Sequence, residues 1–178
     1  MSTSTEQIHS AFLRPFTDSV VRHSGLNDKP LMVDLRPPRP PRLRVYAYNL
    51  VGGAGTRRPT EYKAVLRVRR QPVGEYGSFD YSDGRMVLLV GFRADLDVFV
   101  LWDAGMHSRF KNGGNIQVRD RTVLKAAAVG RAEQVRSLSG GRRELVIACQ
   151  SSSLLKAVDD RIAATGGIGN EEWATCPS

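Results

Sequence analysis

The chain has 178 residues and a formal net charge of +8, from 26 Lys and Arg against 18 Asp and Glu. That length is enough for one good core, and the composition is that of a soluble globular domain. It excludes a membrane-spanning helix, because even the longest apolar runs, such as Met86–Val90, are far too short to cross a bilayer, and MSTSTEQIHSAFLR lacks the basic and apolar regions of a secretory signal.

In chain order, Ile8, Phe12, Phe16 and Val20 recur every fourth residue and predict a helix over 5–22, kinked at Pro15. RPPRPPRLR follows, and Pro37, Pro38, Pro40 and Pro41 read as a stiff, extended connector. LRVYAYNL is rich in aromatic and β-branched residues and predicts a strand. EYKAVLRVR alternates Tyr62, Ala64, Leu66 and Val68 with Lys63, Val65, Arg67 and Arg69, a half-buried strand with a charged outer face. RMVLLVGF and DVFVLWD are apolar throughout, as central strands are, and the short RADL between them predicts an antiparallel hairpin. NIQVRD is a short strand. Asp120 is an N-cap, and RTVLKAAAVGRAEQVRSL reads as a helix that Gly130 weakens without stopping. SGGRR is a turn, ELVIACQ a buried strand, and SSSLLKAVDDRIAAT a closing helix stopped by Gly166 and Gly167. The divisions are a helical lead-in (1–35), a connector (36–42), a body (43–168) and a C-terminal linker (169–178). Strands precede helices with little β–α–β alternation. The expected fold is therefore α+β, a bent, partly closed, mainly antiparallel sheet with packed helices.

The charge is not uniform. Ten basic residues face one acid, Glu61, between Arg36 and Arg70, and nine face two, Asp120 and Glu133, between His107 and Arg143. Such blocks favour a polyanionic partner, because a positive field concentrates phosphates. Arg57, Arg58, Lys63, Arg109 and Lys111 are expected on one surface as phosphate contacts. Cys149 and Cys176 form no C-x-x-C pair, so a reduced, cytoplasmic protein without structural zinc is expected.

Enzyme motifs are sparse. GGAG at 52–55 lacks the lysine and following helix of a phosphate-binding loop. Glu61 and Lys63 have the internal spacing of a D/E-x-K nuclease motif but lack an upstream Asp. A small metal-dependent nuclease on these two residues is one alternative. An RNA-binding or protein-interaction domain is another.

LWDAGMHSRFKNGGNIQVRD collects Trp102, Asp103, His107, Ser108, Arg109, Lys111, Asn112, Asn115, Gln117 and Arg119 around one strand exit. Arg, Lys and Asn donors beside an aromatic suit phosphates, base edges and stacking. Trp102–Gln117 is expected to form one specificity loop. Asp103 is then either a reader of a base amine or, as turn aspartates usually are, a brace on backbone N–H groups.

The succession RVYAYNL, TEYKAVL, VLLVGF, DVFVLWDAGMHSRF and NIQVRD, over about 40–150, resembles the N-terminal DNA-recognition domains of bacterial restriction endonucleases, of the methylase-associated type. The resemblance implies a pseudobarrel-like module that recognises double-stranded DNA, often modified DNA, in a restriction–modification or defence system. It adds Asn49 and Tyr62 to the candidate contacts. It also implies that the module itself is non-catalytic and needs no cofactor, while a separate C-terminal nuclease, using a divalent metal, does the cutting. No membrane partner is expected.

Overall fold

A computed structural model describes residues 3–39, 42–53 and 55–165. In chain order the elements are α1 (Thr5–Leu13), β1 (Val20–His23), β2 (Leu31–Leu35), β3 (Arg42–Asn49), β4 (Val51–Gly52), β5 (Glu61–Val65) and β6 (Tyr76–Gly77). There follow β7 (Met86–Arg93), β8 (Val98–Trp102), β9 (Phe110–Lys111), β10 (Asn115–Arg119), α2 (Asp120–Val129), β11 (Arg131–Ser137), β12 (Arg143–Gln150) and α3 (Leu154–Ala164). The expected stop at Gly166 and Gly167 and the linker 169–178 lie outside the described residues, as do Pro40 and Pro41 of the connector.

A seven-stranded sheet, in the order β1-β2-β3-β7-β8-β12-β11, is the middle layer. Every neighbouring pair in it is antiparallel except β3 and β7. Its central strands are apolar on both faces, and their period of two divides them between two cores. Leu88, Val90 and Phe92 of β7, with Phe99 and Leu101 of β8, meet Phe12 and Phe16 and the α3 residues Leu154 and Val158. Val87 and Leu89, with Val100 and Trp102, face the other way, toward Val123 and Ala126 of α2 and toward a second sheet. The result is an α+β fold of three layers, as the succession of elements predicts, with no closed barrel among the described residues.

The second sheet, β10-β5-β4, is antiparallel. Tyr62 and Ala64 of β5 and Ile116 and Val118 of β10 point into the core. Their alternating neighbours point outward, with Lys63 opposite both Gln117 and Val51, and Glu61 opposite Arg119. A small pair, β6–β9, sits beyond the Asn115 end of β10.

Two helix expectations are corrected. The first helix stops at Leu13 and passes into a single 3₁₀ turn, Arg14–Phe16, that contains Pro15. The proline ring removes a donor and blocks the preceding turn. Val20 then belongs to β1, opposite Leu35, so residues 20–35 contribute two sheet strands rather than a helical lead-in. The second helix ends at Gly130, whose φ of 89° and N–H to the Ala126 carbonyl (2.8 Å) close it. Glycine takes that left-handed geometry without the Cβ penalty, and RAEQVRS beyond it pairs along β12 as a strand.

Candidate nucleic-acid interface

The outward face of β5 and β10 forms the floor of a groove of about 410 Å³. Lys63, Asn115, Gln117, Glu61 and Val51 line it from the strands, and Arg57 and Arg58 line it from the loop after β4. The groove exists because that loop is held hard against β5. A Cβ on Gly53 would lie 2.6 Å from the Tyr62 ring, at a φ of +84°. Gly52, at the end of β4, and Gly53 therefore serve this close approach, whereas a Cβ on Gly55 would meet nothing within 4 Å.

Ion pairing divides the basic residues. Arg22, Arg42 and Arg85 converge on Asp34. Arg39 meets Asp159, Arg44 meets Asp80 and Asp83, and Arg131 meets Glu133 and Asp160. Burial pushes the Asp34 carboxyl up, but hydrogen bonds from Arg22 and Arg85 outweigh it and hold it below the usual carboxylate range. Around the second sheet the pattern reverses. Arg57, Lys63, Arg67, Arg69, Arg70, Arg109, Lys111 and Arg119 make no ion pair among the described residues, and only Arg58 leans on Glu61, at 3.5 Å with the arginine well exposed. Arg14, Lys29, Arg36, Arg121, Lys125, Arg142 and Arg143 are also free of ion pairs among the described residues, but they come from the N-terminal segment, α2 and the turn into the start of β12.

The stretch from Trp102 to Gln117 does not form one loop. Trp102 is fully buried and donates its indole N–H to the Gln117 carbonyl (3.1 Å), so it packs and cannot stack on a ligand here. Asp103 accepts the Gly105 N–H (2.9 Å) and lies 3.3 Å from the Arg161 guanidinium. That is the geometry of a brace. His107 donates its Nε2–H to Glu144 Oε1 (2.8 Å), which also accepts the Asp103 N–H (3.1 Å). Arg136 approaches the other Glu144 oxygen at 3.4 Å. Ser108, Arg109 and Lys111 are exposed on the β9 arm. Asn112 is buried, its carboxamide accepting the Val68 N–H (2.9 Å) and donating to the Gln71 carbonyl (2.7 Å). Asn115 and Gln117 return to the groove on β10.

Two further candidates move away from the interface. The Tyr62 ring is buried, with Arg93 stacked 5.5 Å from its centre. The Asn49 carboxamide ties down the chain before α1, donating to the Thr3 carbonyl (2.6 Å) and accepting the Thr3 N–H (3.0 Å). Thus Arg57, Arg58, Lys63, Asn115 and Gln117 share one groove, with Arg119 on the same face. Trp102, Asp103, His107, Asn112, Tyr62 and Asn49 hold the scaffold.

Sequence reasoning missed Glu144 and Arg161, buried charges that fix the β8 exit. For Glu144 the signal was present, since it keeps step with the inward-facing Val146 and Ala148. It also missed Tyr76, which no periodic pattern marks.

A three-layer α+β fold thus displays a groove whose cations, apart from Arg58 beside Glu61, make no ion pair among the described residues. The chain itself belongs to the methylase-associated X1 family, whose model matches residues 41–158. No curated protein and no solved structure matches the chain. No helix among the described residues is long and apolar enough to cross a membrane.

Proposed function

We propose that this domain recognises double-stranded DNA within a restriction–modification system, and that cutting belongs to a nuclease carried elsewhere. The observation that carries this reading is the concentration of unpaired cations around the second sheet, whereas the cations of the large sheet are largely neutralised by partners. Membership of a methylase-associated family supports the setting.

The face also has the means to read bases. Two paired strands about 4.8 Å apart, with their side chains, suit a major groove about 12 Å wide. Gln117 and Asn115 both project from β10 into the groove. A carboxamide can meet the N6 and N7 edge of adenine in two hydrogen bonds. Arg57, Arg58, Lys63 and Arg119 flank those amides and supply phosphate contacts that set position without reading sequence.

Competition binding of the full chain to a panel of duplexes, unmodified and methylated, tests this. Gln117→Ala with Asn115→Ala should cost one good base contact, roughly 5- to 100-fold on the preferred duplex, and little on others. Equal loss on every duplex would remove base reading from this face. Incubation with Mg²⁺ or Mn²⁺ should leave the DNA intact, and cleavage abolished by Glu61→Ala would replace the recognition reading with a nuclease.

A further inference from the structure

The β6–β9 arm carries an aromatic surface that the groove lacks. Tyr76 is 71% exposed, and the Arg109 guanidinium lies over one face of its ring, 4.1 Å from the centre. Lys111 stands directly across the strand pair from Tyr76 and is exposed on the same arm. Arg69 and Arg70 are exposed on the chain leading into it, and Glu75 is the single acid between Arg67 and Lys111 that belongs to the arm.

The arm is fixed rather than loose. The Asn112 N–H donates to the Glu75 carbonyl (2.8 Å), and the Asn112 carbonyl accepts the Gly74 N–H (2.7 Å). The Gln71 carboxamide clamps Ser78 in both directions, at 2.8 and 3.0 Å. Beneath it, Phe110 packs tilted against Phe79 with centroids 4.7 Å apart, and Phe79 meets Tyr46 at the same distance. The side chain of Asn112 ties this base to Val68 and Gln71, just outside the end of β5.

We propose that Tyr76, with Arg109 and Lys111, is a stacking platform for a single unpaired nucleobase of a DNA bound along the groove. The proposal rests on the DNA-binding reading above and adds a second contact to it. Each element of the chemistry has a group. A nucleobase stacks on a tyrosine face without regard to its identity, because every base has a π-face. The guanidinium on the ring strengthens that stack and neutralises a neighbouring phosphate. Lys111 supplies a second charge for the backbone on either side of the displaced nucleotide. Tyr76 and Arg109 are already held together, so less side-chain freedom is lost when a base arrives. The aromatic partner expected of Trp102 is thus supplied by a residue on the neighbouring arm.

The experiment compares a fully paired duplex with the same duplex carrying one unpaired thymidine, against the full chain and its variants. The wild-type protein should prefer the bulged probe. Tyr76→Ala should abolish that preference, weakening the bulged probe roughly tenfold and leaving the paired one unchanged. Tyr76→Phe should retain the preference, and Arg109→Ala should reduce it. Equal wild-type affinity for the two probes overturns the platform. Equal loss on both probes in Tyr76→Ala also overturns it, since the arm would then contact backbone alone. Absence of wild-type binding to either probe is the distinct result that removes the DNA reading itself, and the platform with it.

Discussion

Asp103 is the residue where packing and site meet. Its carboxylate holds the turn after β8 and faces the Arg161 guanidinium, which is almost wholly buried. Burial draws the Arg161 pKa down, against the opposing pull of Asp103 and Glu144. Truncation of Asp103 leaves that guanidinium without its carboxylate, and Asp103→Ala should destabilise the fold by about 3 kcal/mol. Chemical denaturation measures the loss, and the ranking among DNA duplexes should stay as in the wild type. An unchanged midpoint with an altered ranking would make Asp103 a reader rather than a brace. His9 sets a second test. It lies on the buried face of α1, its Nδ1–H donates to the Leu26 carbonyl (2.7 Å), and burial lowers its pKa. The folded state therefore refuses a proton that the unfolded chain accepts below about pH 6.5. Stability should be full above that value and fall as pH drops below it. Melting curves at about pH 7.5 and about pH 5.5 should show the fall in the wild type and a smaller one in His9→Gln.

At the scale of elements, the outcome follows from which signal was strongest. The central strands RMVLLVGF and DVFVLWD and their hairpin were legible, because continuous apolar runs of that length bury on both faces. The β5 and β10 strands were legible by alternation, and alternation also named the outward Lys63 and Gln117. RAEQVRSL carries a helical spacing that runs on from the preceding residues through Val135. The backbone at Gly130 overrides it. Gly130→Ala forces a side chain into the left-handed region and should cost about 1–2 kcal/mol. Thermal melting checks this, and a neutral result would mean that the α2–β11 junction can relax. Val20 fitted the helical period equally well, yet its β-branched neighbour Val21 and the break at Pro15 hand the segment to the sheet.

The whole molecule divides its charge as it divides its layers. One face of the middle sheet is closed by α1 and α3, and the other by α2 and the second sheet. The second sheet is amphipathic in cross-section, apolar inward and polar outward, with Lys63 and Arg119 on the outer face. The sequence carried the two basic blocks, and the structure brings the first block's Arg57 and Lys63 beside β10, which lies in the second. It could not carry their separation from the paired arginines, because Asp34, Asp159 and Asp160 reach their partners only through long-range packing. The salt dependence of duplex binding tests this division most directly. The logarithm of the binding constant should fall linearly with the logarithm of salt concentration, with a slope that weakens by about one unit for each phosphate contact removed. Lys63→Ala with Arg57→Ala should therefore reduce the slope by about two units and weaken every duplex alike, whereas Arg22→Ala, on edge strand β1 of the large sheet and paired with Asp34, should leave it unchanged. A slope unaltered by the groove variants, or altered equally by Arg22→Ala, would contradict the assignment of the second sheet as the DNA-binding face.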